Sequence, residues 1–105
     1  MKKTNRLEDI DFSKYEVDRE KGIYSKYWRI WLKGKNDVNN YNVVSLNLME
    51  GGKKQYKRHR VMAYCFIERP EELKDVPYEY LEVDHINGDS LDNRIENLRW
   101  VDSKG

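Results

Sequence analysis

Val83-Asp84-His85-Ile86-Asn87-Gly88-Asp89, and three residues later Asn93-Arg94-Ile95-Glu96-Asn97-Leu98-Arg99-Trp100-Val101, is the stretch whose reading decides the rest. Residues 81–83 alternate as a short strand does, and an Asp-His pair stands at its end. Asn87-Gly88-Asp89 has the composition of a turn. Residues 92–98 predict a helical turn, and residues 98–101 a second short strand. Two strands closing a loop around a carboxylate and an imidazole can build a phosphodiester site. The carboxylate holds a hard cation, and the imidazole can take a proton from water near neutral pH. Neighbours on a regular strand face opposite ways, so Asp84 and His85 serve one phosphate only by flanking it or if the strand ends there.

Upstream of the motif the period changes. Residues 59–68 predict a short, largely buried helix, ended by Arg69-Pro70, because the residue before a proline avoids helical geometry. A charged connector with one helical turn at residues 71–74 then leads to the motif. Before the helix, Lys53-Lys54-Gln55-Tyr56-Lys57-Arg58-His59-Arg60 carries five Lys or Arg residues in eight and no acid. On a strand these would form a basic ribbon suited to phosphates, with Lys53, Lys54, Lys57, Arg58 and Arg60 as the DNA contacts. The expected partner strand is residues 42–48, with Val44, Leu46 and Leu48 on one face and Gly51-Gly52 as a two-residue hairpin turn. Residues 34–40 read as a loop. Residues 15–32 read as a hairpin around 20–22 followed by a strand over 28–32, and residues 1–13 as a loosely held segment.

With 105 residues, 38% hydrophobic and 37% charged, the chain can bury one modest core. The net charge of +1 conceals a division. Residues 1–67 carry 15 basic and 8 acidic side chains, and residues 68–105 carry 5 and 11. A basic half suits a polyanion, and an acidic half suits a cation or a basic protein. No apolar run approaches membrane-spanning length and none follows the basic N-terminus as a signal region, so an intracellular, cytoplasmic protein is expected. The single cysteine, Cys65, lies among apolar residues and is expected to be a buried thiol that forms no intrachain disulfide.

The Asp-His-Ile-Asn-Gly-Asp and Asn-Arg-x-x-Asn-Leu-Arg-Trp-Val spacing resembles the HNH motif of small phage nucleases and group I intron homing endonucleases. His59-Arg60-Val61-Met62-Ala63 is similar to the helix that precedes that motif in the family, and residues 15–48 more loosely to its β-rich module. The resemblance implies an α+β fold: a small antiparallel β-sheet module over residues 1–58, then a helix and a ββα-metal (HNH) motif over 59–105. It further implies a metal-dependent DNA endonuclease that nicks one strand. In that reading His85 is the general base and Asp84 the ligand of Mg²⁺ or Mn²⁺. Asn97, counted with the catalytic set, bonds the backbone across the loop, and Trp100 is a core aromatic. His59 is expected to start the helix and pack near the site, with Asn87, Asp89 and Asn93 shaping the loop. In the family a further helix supplies a third metal-site residue, whereas this sequence reads Asp102-Ser103-Lys104-Gly105 and stops. The expectation is therefore an open, weakly binding cation site. The competing reading is a catalytically incomplete HNH scaffold that binds DNA or inhibits another protein, such as a phage anti-defence factor. A protein partner for the acidic half, and a homo-oligomer, stay open.

Overall fold

The computed structural model describes residues 5–102. It is an α+β fold of small antiparallel sheets around one helix. Strands β1 (Tyr15–Asp18), β2 (Gly22–Ser25) and β3 (Ile30–Trp31) make the first sheet. Strands β4 (Lys35–Asn36), β5 (Asn42–Asn47) and β6 (Lys53–Lys57) make the second, and helix α1 (Arg58–Phe66) follows β6 directly. Strands β7 (Leu81–His85) and β8 (Leu98–Asp102) form a two-stranded ribbon, in register from Leu81 opposite Asp102 to His85 opposite Leu98.

Helix α1 packs on β5, β6, β7 and β8 and so joins the second sheet to the ribbon. Val44, Leu46 and Leu48 turn inward from β5 and its end, as the alternation predicts, and meet Val61, Met62 and Ala63 of α1 in one cluster with Leu81, Val83, Leu98 and Trp100. The Trp100 indole N–H donates to the Ile67 carbonyl at 2.9 Å, which satisfies the polar end of a buried ring. Arg60 is a buried cation in this interface. Its guanidinium donates to the carbonyls of Leu81 and Tyr78, tying the helix to the start of β7. No helix among the described residues is long and apolar enough to cross a membrane.

Several expectations need correction. Residues 5–13 are anchored: Leu7 and Ile10 are buried at the spacing of a single 3-10 turn, Ile10 bridges to Leu48, and the Tyr56 hydroxyl donates to the Arg6 carbonyl at 2.9 Å. The 28–32 strand shrinks to Ile30–Trp31, because Tyr27 and Trp28 lie in the turn before it. Gly51 and Gly52 do take positive φ, but within a five-residue connection between Asn47 and Lys53 rather than a two-residue turn. Cys65 is on the exposed side of α1, since the buried stripe of the helix ends at Ala63.

Gly34 occupies φ +64°, and an added Cβ would lie 2.5 Å from the Val43 carbonyl oxygen. That oxygen belongs to the β5 backbone and cannot move aside. At Gly51 the φ is +100° with open space around it. Gly51→Ala should therefore cost about 1 kcal/mol from backbone conformation alone, and Gly34→Ala about 3 kcal/mol or more. Urea unfolding of the two variants checks the order; equal costs would contradict the close approach.

Candidate active site

The site is built at the end of β7. Leu81, Val83 and His85 face inward, while Glu82 and Asp84 face out. The strand ends at His85, and the Ile86 N–H donates to the Asn97 carbonyl at 2.8 Å, closing the loop between the two strands. Asn97 is buried, and each end of its amide is used. Its Oδ1 accepts from the Asn87 N–H at 3.0 Å, and its Nδ2 donates to Asn87 Oδ1 at 3.0 Å and the Asp92 carbonyl at 2.9 Å. Asn97 is thus a loop-closing, positioning residue rather than one that faces a reacting group.

The loop is stiffened further by its own side chains. Asn87 Oδ1 accepts from the Asp89 N–H, and Asp89 Oδ1 from the Leu91 N–H. The Arg94 fork grips both oxygens of Asp92 at 2.8 Å and holds that carboxyl well below the usual carboxylate range. Asn93 does something the sequence reading missed. Its Oδ1 lies 2.8 Å from His85 Nε2. An amide oxygen only accepts, so Nε2 donates to it, and in the neutral ring Nδ1 is the free nitrogen. The spacing of eight residues across a turn could have suggested this bond, but only loop geometry picks Asn93 over Asn87.

His85 is buried at 7% exposure and meets a second imidazole. The His59 ring centre is 4.6 Å away, Tyr41 stacks on His59 at 5.2 Å, and the Lys57 ammonium sits 4.4 Å above the Tyr41 ring. His59 therefore packs against the site as expected, but inside the protein. Its Nδ1 is buried with no hydrogen-bond partner among the described residues. Burial first, then the cost of placing a second positive charge beside His85, Arg60 and Lys57, pushes its pKa down to about 3.

Asp84 lines an open pocket of about 320 Å³ with Glu82, His59, Tyr41 and Lys57. Its Oδ2 accepts from Arg99 Nε at 2.8 Å, and Arg99 stands directly opposite on β8. Among the described residues no three His, Cys, Asp or Glu side chains gather as a complete ligand set. The donor chemistry that is present, carboxylate oxygen open to solvent, fits a hard divalent cation. Residues 103–105, at which the sequence was expected to stop short of the family's further helix, lie outside the described residues.

The basic segment divides. Lys53 and Lys54 are exposed on β6, and Lys57 is half-buried beside Tyr41. Arg58 and Arg60 turn inward, which corrects their place in the expected ribbon. Arg58 donates to Asn42 Oδ1 at 2.7 Å and to the Leu32 carbonyl, and Arg60 is spent on the two carbonyls beside β7.

Comparison with known proteins meets this geometry at the same residues. A family model described as HNH endonuclease matches residues 74–104. The uncharacterized HNH endonuclease L245 of Acanthamoeba polyphaga mimivirus is 31% identical over 97% of the chain. A second mimivirus protein, the uncharacterized HNH endonuclease L247, is 47% identical over 45% of the chain. The solved structure of the HNH homing endonuclease I-HmuI, described for DNA binding and cleavage, superposes with a TM-score of 0.72 at 32% identity over 91% of the chain. The chain belongs to the HNH endonuclease family. This HNH chain spans 28% of L245, 11% of L247 and 52% of I-HmuI.

Burial of His59 makes the HNH chain acid-sensitive in a defined window. The folded pKa is below the unfolded value of about 6.5, so between about 3 and 6.5 the unfolded chain binds the extra proton. Stability is full above that window and falls as pH drops through it, with a slope approaching about 1.4 kcal/mol per pH unit from this group. Urea midpoints from pH 7 to 4 should fall more steeply for wild type than for His59→Phe. Parallel curves would show that His59 is not held neutral. Asn97→Ala should cost about 2–4 kcal/mol, because it strands the buried groups it serves; a loss under about 1 kcal/mol in the same assay would mean that the loop is held elsewhere.

Proposed function

We propose that this chain carries the cleavage centre of a metal-dependent DNA endonuclease that nicks one strand. The observation that supports it most is the Asn93–His85 bond, which occupies Nε2, leaves Nδ1 as the free nitrogen of the neutral ring and fixes the imidazole at the end of β7. His85 Nδ1 takes the proton of a water, the water oxygen attacks phosphorus, and the 3′ oxygen leaves. Asp84 on the outer face and His85 on the inner face flank the strand end, so the phosphate sits where the alternation stops at Ile86. Asp84 would hold Mg²⁺ or Mn²⁺, together with water and phosphate oxygens. When bound, the ion supplies Lewis-acid stabilisation of the charge that builds on phosphate. Arg99 competes for the same carboxylate. Lys53, Lys54 and Lys57 neutralise the DNA backbone, while Arg58 and Arg60 hold the fold.

His85→Ala should abolish nicking of a supercoiled plasmid, at a cost of about 1–3 kcal/mol in urea unfolding because the ring is buried and bonded to Asn93, with the variant still folded at the assay temperature. Asp84→Ala should lose both rate and dependence on Mn²⁺. A chain that binds DNA through its lysines but nicks in neither form would instead be a binding protein on the HNH scaffold. Arg99→Ala should tighten Mn²⁺ binding up to about fivefold by calorimetry, the limit for an exposed ion pair. Unchanged affinity would mean that Asp84 is not the ligand. Lys54→Gln and Lys57→Gln should each lower the salt slope of DNA binding by about one, alike for all sequences. Slopes equal to wild type would take these lysines off the phosphates.

A further inference from the structure

The turn between β2 and β3 presents aromatic surface to water. Tyr27 is 79% exposed and Trp28 64%. Their rings stand edge to face with centroids 4.8 Å apart, so each supports the other and leaves ring face open. The turn is held rather than loose. Ser25 Oγ accepts from the Trp28 N–H at 3.2 Å, and the Ser25 carbonyl accepts from the Arg29 N–H at 2.8 Å. Arg29 takes φ 57°, a left-handed conformation that costs a non-glycine residue free energy. Exposed aromatic surface in a held turn is a feature that calls for a partner.

Beside this pair runs a groove of about 870 Å³. Lys14, Lys26 and Lys53 line it together with Ser45 and Asn47, and no carboxylate among the described residues does. Lys53 and its register partner Asn47 belong to the β5–β6 sheet. The groove therefore shares Lys53 with the β6 lysines assigned above to the DNA backbone. Ring faces next to ammonium groups match the two chemistries of an unpaired nucleotide strand, base π-surface and phosphate. Paired bases hide their faces within the stack, so a duplex offers the rings nothing comparable.

We propose that the Tyr27–Trp28 turn and this groove form a binding site for single-stranded DNA, in which the two rings stack on unpaired bases and Lys14, Lys26 and Lys53 neutralise phosphates. This rests on the reading of the chain as a DNA-acting protein and adds to it the class of DNA preferred next to the cut. Because the site is separate from the β7–β8 loop, binding there and cleavage can fail independently.

The test uses the full chain with Trp31→Phe, so that emission comes from Trp28 and the buried Trp100. It is titrated with oligothymidylate of about 15 nucleotides, a length within one single-strand site, and with a duplex of equal length. Saturable quenching is expected, with the single strand bound at least tenfold more tightly than the duplex. Trp28→Ala and Tyr27→Ala should each weaken oligothymidylate binding by about 5- to 150-fold, followed by anisotropy, and Trp28→Phe should restore most of the loss. Near-UV circular dichroism from Trp100 verifies folding, and Lys26→Gln, which removes the ammonium that also bonds the Ser13 carbonyl at 3.1 Å, should flatten the salt dependence. Oligothymidylate binding unchanged in Trp28→Ala, or no preference over duplex, overturns the proposal. So does sedimentation showing a dimer that buries Trp28 and ignores the oligonucleotide. Quenching that survives His85→Ala supports it. Quenching without any nicking by wild type would sink the nuclease reading alone, and nicking without quenching would sink the stacking site alone.

Discussion

The amide of Asn97 is the constraint on which the site depends. It is buried between the two strands of the ribbon and accepts from one side of the loop while donating to the other. With the Ile86–Asn97 main-chain bond it stops β7 at His85 and returns the chain as β8. Every functional position is set by that closure. Asp84 and His85 fall at the strand end, Asn93 falls within reach of Nε2, and Leu98 and Trp100 enter the core on the return. A buried amide has no water to replace a lost partner, so the closure is specific as well as stabilising.

A second constraint is the shortage of apolar material. With so few hydrophobic residues the core borrows polar ones and satisfies them one at a time. Arg60 fills space between α1 and β7 and is spent on carbonyls; Tyr56 and Trp100 bury rings whose polar ends find backbone acceptors. Among the described residues His59 is an exception, with a buried Nδ1 that has no hydrogen-bond partner. It is wedged between the Tyr41 ring and His85 and helps to immobilise the imidazole whose orientation Asn93 sets.

The ribbon, α1 and the β5–β6 hairpin were legible in the sequence because each rests on local alternation or on punctuation by Gly and Pro. Val44, Leu46 and Leu48 announce their face by period two alone. What stayed illegible depends on tertiary context. Leu7 and Ile10 look like isolated apolar residues in a polar tail until Tyr56 and Leu48 supply their partners. Arg58 and Arg60 read as surface cations because charge says nothing about which carbonyls lie nearby. Tyr27 and Trp28 have strand propensity, and only the left-handed Arg29 puts them in a turn. The motif marked Asp84, His85 and Asn97 by spacing, but the bond that selects the basic nitrogen belongs to loop geometry.

Loop closure by Asn97 brings Asn93 to His85 and selects the ring nitrogen that the proposed mechanism uses as base. Nitrogen-15 NMR of the two ring nitrogens of His85 in the uniformly labelled chain tests it directly. In the neutral ring the proton is expected on Nε2 rather than Nδ1, with that preference lost when Asn97→Ala releases the loop. A proton on Nδ1 in the neutral wild-type ring, or an unchanged tautomer in the variant, would contradict it.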